Sequence, residues 1–151
     1  MSQLTFKFPF KTTYNEKDFY VSSSNFTAYK LIESCPNWPS KNINIFGPHG
    51  CGKTHLGNIL YNKIKILLID AKDFNVKVLN NLETKDCLLI DNYSNNIDEN
   101  FLYTALNQIS QTNKSIVINS IEPIKKMLIN LKDLKSRLDG FTSLGINLPT
   151  D

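Results

Sequence analysis

The feature that most constrains this chain is the run Gly47-Pro48-His49-Gly50-Cys51-Gly52-Lys53-Thr54. A short apolar stretch at 43–46 leads into it and a helical stretch near 53–62 leads out. Strand, glycine-rich turn and helix in that order aim backbone N–H groups and the positive end of a helix at one spot, which suits phosphate. Glycines let the backbone close around an anion with no Cβ in the way. In the pattern GxxxxGK[ST], Lys53 reaches the β- and γ-phosphates and Thr54 holds Mg²⁺.

The rest of the chain is consistent with that start. After the strand at 43–46, apolar stretches at 64–70, 88–91, 116–119 and 144–148 read as four more strands. Helical stretches fall near 98–112 and 123–137, and in Phe101, Leu102, Ala105 and Ile109 the apolar spacing is three or four. Ser24 is placed to cap a short helix over 25–33, and Pro36 and Pro39 break the chain after it. Unbroken apolar strands alternating with helices predict an α/β fold: a five-stranded parallel sheet sandwiched between two helical layers. At 151 residues the chain has room for one such domain. Residues 1–20 are polar and aromatic by turns and read as extended, giving an N-terminal arm over 1–12 and a nucleotide-binding core over 13–151.

A phosphate loop also needs an acid at the end of a nearby strand, to hold Mg²⁺ through its water shell. Asp91 closes Cys87-Leu88-Leu89-Ile90 and is the first candidate; Asp70 ends the preceding strand and is its rival. Many ATPases of this kind place a second acid directly after the first, to orient the attacking water. Here that residue is Asn92, which can hold a water but cannot take its proton. Base assistance is worth a factor of about 10² to 10⁴ in rate, so the expectation is ATP or ADP binding with little or no intrinsic hydrolysis.

Composition excludes other classes. No apolar run is long enough to span a membrane, and the N-terminus lacks a signal pattern, so a cytoplasmic location is expected. Cys35, Cys51 and Cys87 show no CxxC spacing and read as reduced thiols. A net charge of +3 is too mild to argue for nucleic acid, and Lys125, Lys126, Lys132 and Lys135 read as a solvated face. Arg137 is the single Arg in a Lys-dominated chain, which suggests a position where a planar fork is needed.

Taken in order, these segments resemble the DnaA-related AAA+ ATPases. The run Gly47-Pro48-His49-Gly50-Cys51-Gly52-Lys53-Thr54-His55-Leu56-Gly57-Asn58 is similar to their phosphate loop, and Tyr20-Val21-Ser22-Ser23-Ser24-Asn25 to the segment that packs on adenine before it. Leu88-Leu89-Ile90-Asp91-Asn92 resembles the Walker B strand, and 116–122 with Pro123 the sensor-1 strand and its turn. Leu134-Lys135-Ser136-Arg137-Leu138 resembles the box that carries the arginine finger. The resemblance implies that Val21, Asn25 and His55 join the loop around the nucleotide, that Asn119 serves as sensor 1, and that Arg137 acts in trans on a neighbour's nucleotide.

Within the family, the regulatory inactivators of DnaA are the nearest in pattern. They share Asn92 after Asp91 and an N-terminal stretch like Gln3-Leu4-Thr5-Phe6-Lys7-Phe8, which resembles the motif that docks on the β sliding clamp. In that motif Gln3, Leu4, Phe6 and Phe8 make the contact. The implied partners are the clamp and the DnaA initiator, with self-association left open and no sequence-specific DNA binding. Two departures stand out. The sequence ends at Asp151, where the C-terminal helical lid is expected to start, whether the lid is lost or lies beyond that residue, and it holds no second Arg to act as sensor 2. A helicase-loader-like ATPase shares the core and the finger and is the alternative. A small P-loop kinase fits less well, because such enzymes neutralise the transferring phosphate with several arginines.

Overall fold

The computed structural model describes residues 26–146 apart from 36, 37, 39, 50 and 51, and not the side chains of 26–28. The arm over 1–12 and the residues Ser24, Val21 and Asn25 therefore lie outside the described part, as do Gly50 and Cys51.

Five strands run β1 (Asn42–Phe46), β2 (Ile66–Asp70), β3 (Cys87–Tyr93), β4 (Ser115–Ser120) and β5 (Thr142–Gly145). They form one sheet in the order β2-β3-β4-β1-β5, every pair parallel. Helices α1 (Phe26–Glu33) and α2 (Lys53–Tyr61) cover one face; α3 (Val76–Asn81), α4 (Glu99–Gln111) and α5 (Lys132–Asp139) cover the other. β3 shows how the sequence builds these three layers. Leu88 and Ile90 join the core under α3, α4 and α5, whereas Cys87 and Leu89 join the core under α1 and α2. Strands buried on both faces must be apolar at every position, which is why the pattern of unbroken runs identified them.

The helices have local causes. The Asp98 carboxylate accepts from Phe101 N at 2.9 Å and caps α4. Asn75 Oδ1 accepts from Lys77 N and Val78 N and starts α3. α2 packs so closely on the sheet that a Cβ at position 57 would lie 3.1 Å from Leu89 Cδ1, a place only Gly57 fits without displacing its neighbour.

The main differences from the sequence reading concern the stretch before α5, the last strand and α3. The stretch 123–137 is not one helix: a 3₁₀ turn (Ile124–Lys126) and an extended segment precede α5. Pro123 stands just before that turn, and Leu131, the residue at the N-cap of α5, has no side chain that can cap. The last strand begins at Thr142 rather than Leu144, because Ile43 pairs with Thr142 and Phe46 with Gly145; residues 147 and 148 of the expected strand lie outside the described part. α3 was not anticipated; at six residues it shows no clear apolar period.

Candidate functional site

The parallel sheet brings the carboxyl ends of β1, β3 and β4 together, and the sequence-identified polar residues lie on those ends. Gly47 follows β1, is buried, and donates its N–H to Ser120 O at 3.1 Å. Gly52 has φ 107°, a left-handed conformation that favours glycine, and sits at the N-cap of α2. Its carbonyl accepts from Leu56 N at 3.0 Å, so the helix begins directly under the loop. The Lys53 ammonium folds back on the loop, donating to Gly47 O and, at 3.1 Å, to Pro48 O. His49 is exposed and His55 half-buried on α2.

Thr54 Oγ1 lies 3.5 Å from Asp91 Oδ2, and Asn119 Nδ2 lies 3.5 Å from Asp91 Oδ1. The three side chains come from α2, β3 and β4 and meet at the loop. Asn119 is 1% exposed, and its Oδ1 has no hydrogen-bond partner among the described residues, an orphaned acceptor in a polar site. A hydroxyl and a carboxylate at this spacing suit Mg²⁺, which takes one or two protein oxygens and completes its shell with phosphate and water. Thr54 and Asp91 therefore fit the ion.

The rival acid is occupied elsewhere. Asp70 Oδ1 accepts from Lys72 N at 3.0 Å and Oδ2 accepts from Asn92 Nδ2 at 2.7 Å. The Asn92 amide first, then the Lys72 amide, holds the Asp70 carboxyl below its ordinary range. Asn92 itself has φ 58°, and β3 loses its regular pairing between Ile90 and Tyr93. The break is on the β4 side; β2 stays in register up to Asp70 and Asp91, next to which the Asn92 amide meets Asp70.

A cavity of about 430 Å³ opens beside the loop, lined by His49 and Lys53 together with Ser120, Ile121, Glu122 and Met127. Tyr93 also lines it, and its phenol is pushed up to about 12 by burial and by the nearby Glu99 carboxylate. Sequence reading did not find Ser120 or Glu122; their only signal was their place just past the Asn119 strand end.

Arg137 does not line this cavity. It is exposed in the last turn of α5 and donates to Asn107 Oδ1 on α4. Lys125 and Lys126 are exposed, and Lys135 pairs with Asp139 at 2.8 Å, so this part of the lysine group is the solvated face expected of it.

Among known proteins, no family model matches the chain, and no curated protein does. Solved structures do. DnaA from Aquifex aeolicus bound to AMPPCP superposes with a TM-score of 0.75 at 24% identity, over 88% of this chain and 50% of that one. Domain III of DnaA from Thermotoga maritima gives 0.75 at 22%, over 91% of this chain and 68% of that one. A putative primosome component from Streptococcus pyogenes gives 0.63 at 15%, over 84% and 80%. The chain thus spans about half the length of the longer DnaA structure it matches. The fold is that of an AAA+ P-loop NTPase domain, with the five-stranded parallel sheet of the DnaA core. No helix among the described residues is long and apolar enough to cross a membrane.

Proposed function

We propose that the chain is a nucleotide-binding regulator of DnaA-dependent replication initiation, of the Hda type: tethered to the β sliding clamp by its N-terminal arm and promoting hydrolysis of DnaA-bound ATP. The observation that carries the nucleotide part is the meeting of Thr54, Asp91 and Asn119 at the Gly47–Thr54 loop. The likeness to DnaA in fold supports the choice of partner, since AAA+ domains of this kind pair with one another through their nucleotide sites.

The chain's own residues divide the work. Loop N–H groups and the start of α2 take the phosphates of ADP or ATP, and Lys53 exchanges its loop carbonyls for phosphate oxygens. Thr54 and Asp91 hold Mg²⁺, which neutralises phosphate charge when bound. Asn119 turns its amide toward the same point. Asn92, hydrogen-bonded to Asp70, offers no base, so the chain retains nucleotide and spends little of it. Arg137 is exposed in the last turn of α5, where it can reach a neighbour's nucleotide; its bond to Asn107 is one an incoming phosphate can replace. Gln3, Leu4, Phe6 and Phe8 supply the clamp contact.

The test is hydrolysis of initiator-bound ATP with clamp loaded on DNA. The wild-type chain should stimulate it, and Arg137→Lys should lose most of the stimulation while staying folded and clamp-bound, because Lys keeps the charge and loses the fork. A finger supplied in trans is worth about 10³ to 10⁵ in rate in GTPases. Equal stimulation by the Lys variant would remove the finger assignment. No stimulation by wild type would leave a clamp-tethered binding module. A helicase-loader-like role is the second reading, favoured by the fold shared with the primosome component; binding to a replicative helicase and not to the clamp would select it.

A further inference from the structure

An asparagine stands where the sheet's centre calls for an apolar residue. Asn44 lies in the middle of β1 between Ile43 and Ile45 and is 0% exposed. Its Nδ2 donates to Ile118 O and to Ser120 Oγ, both at 2.9 Å, and its Oδ1 accepts from Ile124 N at 3.1 Å. Ser120 Oγ in turn donates to Glu122 O at 2.7 Å. Every polar atom of this buried group is used, and all of its partners lie on one piece of chain: the end of β4 and the turn after it.

That turn lines the cavity through Ser120, Ile121 and Glu122. It also touches the phosphate loop directly, because Ser120 O accepts the N–H of Gly47, the loop's first residue. Asn119, which faces Asp91, is the residue between Ile118 and Ser120, and Asn44 holds both of them. A leucine at position 44 would fill the space and leave Ile124 N and Ile118 O to find other partners.

We propose that Asn44 is a positioning residue for the nucleotide site: by fastening the Ser120–Ile124 turn to β1, it sets where Asn119 and the cavity wall stand relative to the phosphate loop. The role rests on the reading of that loop as a nucleotide site. Asn44 does not line the cavity; it acts through Ser120 and Gly47. Buried polar groups that are fully satisfied fix one arrangement where an apolar core would tolerate several.

Two measurements test it on the full chain. The first is amide hydrogen exchange without nucleotide. In Asn44→Leu the amides of Gly47 and Ile124 should exchange at least about tenfold faster than in wild type, while those in the middle of β3 keep their protection. The second is calorimetry of ADP with Mg²⁺, done where each variant is fully folded, so that lost global stability alone cannot lower affinity. Asn44→Leu should bind about tenfold more weakly, on the order of one hydrogen bond. Ser120→Ala, which removes only a hydroxyl, is the variant to use if the leucine protein does not fold, and should shift both readouts the same way by less. Unchanged Gly47 exchange together with unchanged affinity overturns the proposal. Faster exchange everywhere, β3 included, overturns it too, since Asn44 would then only stabilise the fold. If wild type binds no ADP, the nucleotide reading fails first and this role fails with it.

Discussion

Asn92 sits in the left-handed region at φ 58°, a conformation that asparagine tolerates better than most side chains. Its amide donates to Asp70 Oδ2 at 2.7 Å, so an acid at position 92 would set two carboxylates against each other. Two outcomes are expected. Phosphate release by the isolated chain should stay far below about 1 s⁻¹, the low end of ordinary enzyme turnover; release at that rate, abolished by Lys53→Ala, would contradict the assignment of Asn92. Asn92→Asp should lower the urea midpoint at neutral pH, and adding Asp70→Asn should restore it, because the swapped pair again has one donor and one acceptor. If the double variant is no more stable than Asn92→Asp alone, the cross-strand bond is not what holds Asn92 in this conformation.

At the scale of elements, α5 begins on a residue whose side chain cannot cap it, and a carboxylate on α4 takes up the two amides that lead into it. Glu99 Oε1 accepts from Leu131 N at 2.8 Å and from Asn130 N at 3.1 Å. Asn95, itself at φ 58°, donates to Glu99 and to Leu128 O and ties down the same segment. The Leu131 amide first, with Asn130 and Asn95, keeps the Glu99 carboxyl below its ordinary range. A lowered folded-state value means stabilisation present above the unfolded glutamate value of about 4.3 and lost as pH falls through the lower one. Urea midpoints of wild type and Glu99→Gln measured from neutral pH downward should therefore converge in acid. Parallel curves would show that the carboxylate charge contributes nothing to this join. The join also explains what was hard to read from sequence. β1, β3, β4 and α4 were legible because each carries its own apolar pattern. The Gly47–Thr54 motif and Asp91 could be picked out from their place at apolar runs, whereas Asn119 was named through the family resemblance alone. α3 and the start of α5 depend on polar caps. One of these, Glu99, is 32 positions from the amide it caps, and no local pattern reports that. The wall of the cavity was hidden for the same reason: Asn44 meets Ser120 across 76 positions.

For the molecule as a whole, the sheet separates two cores, and the phosphate loop hangs on strands that belong to both. Ile43 and Ile45 of β1 pack with Tyr29, Ile32, Leu56 and Ile59 on one face, while Ile116 and Ile118 of β4 pack with α4 and α5 on the other. Gly47 joins the two through Ser120. The loop therefore cannot keep its shape if either core is lost, and a ligand bound there should stabilise the whole domain rather than one lobe. Binding to the folded state alone adds RT ln(1 + [L]/Kd), about 2.7 kcal/mol at a hundredfold excess over Kd. For a domain of this size each kcal/mol raises the unfolding midpoint by about 2–4 °C. ADP with Mg²⁺ at that excess should then raise a single cooperative transition by roughly 5–11 °C. Lys53→Ala should remove most of the shift, because the Lys53 ammonium lies on the loop carbonyls, where it is placed to take phosphate oxygens. Differential scanning calorimetry with and without ADP reads both. A shift of equal size in the Lys53 variant would place the ligand elsewhere, and two separate transitions, only one of them moved by ADP, would show that the cores do not unfold as one.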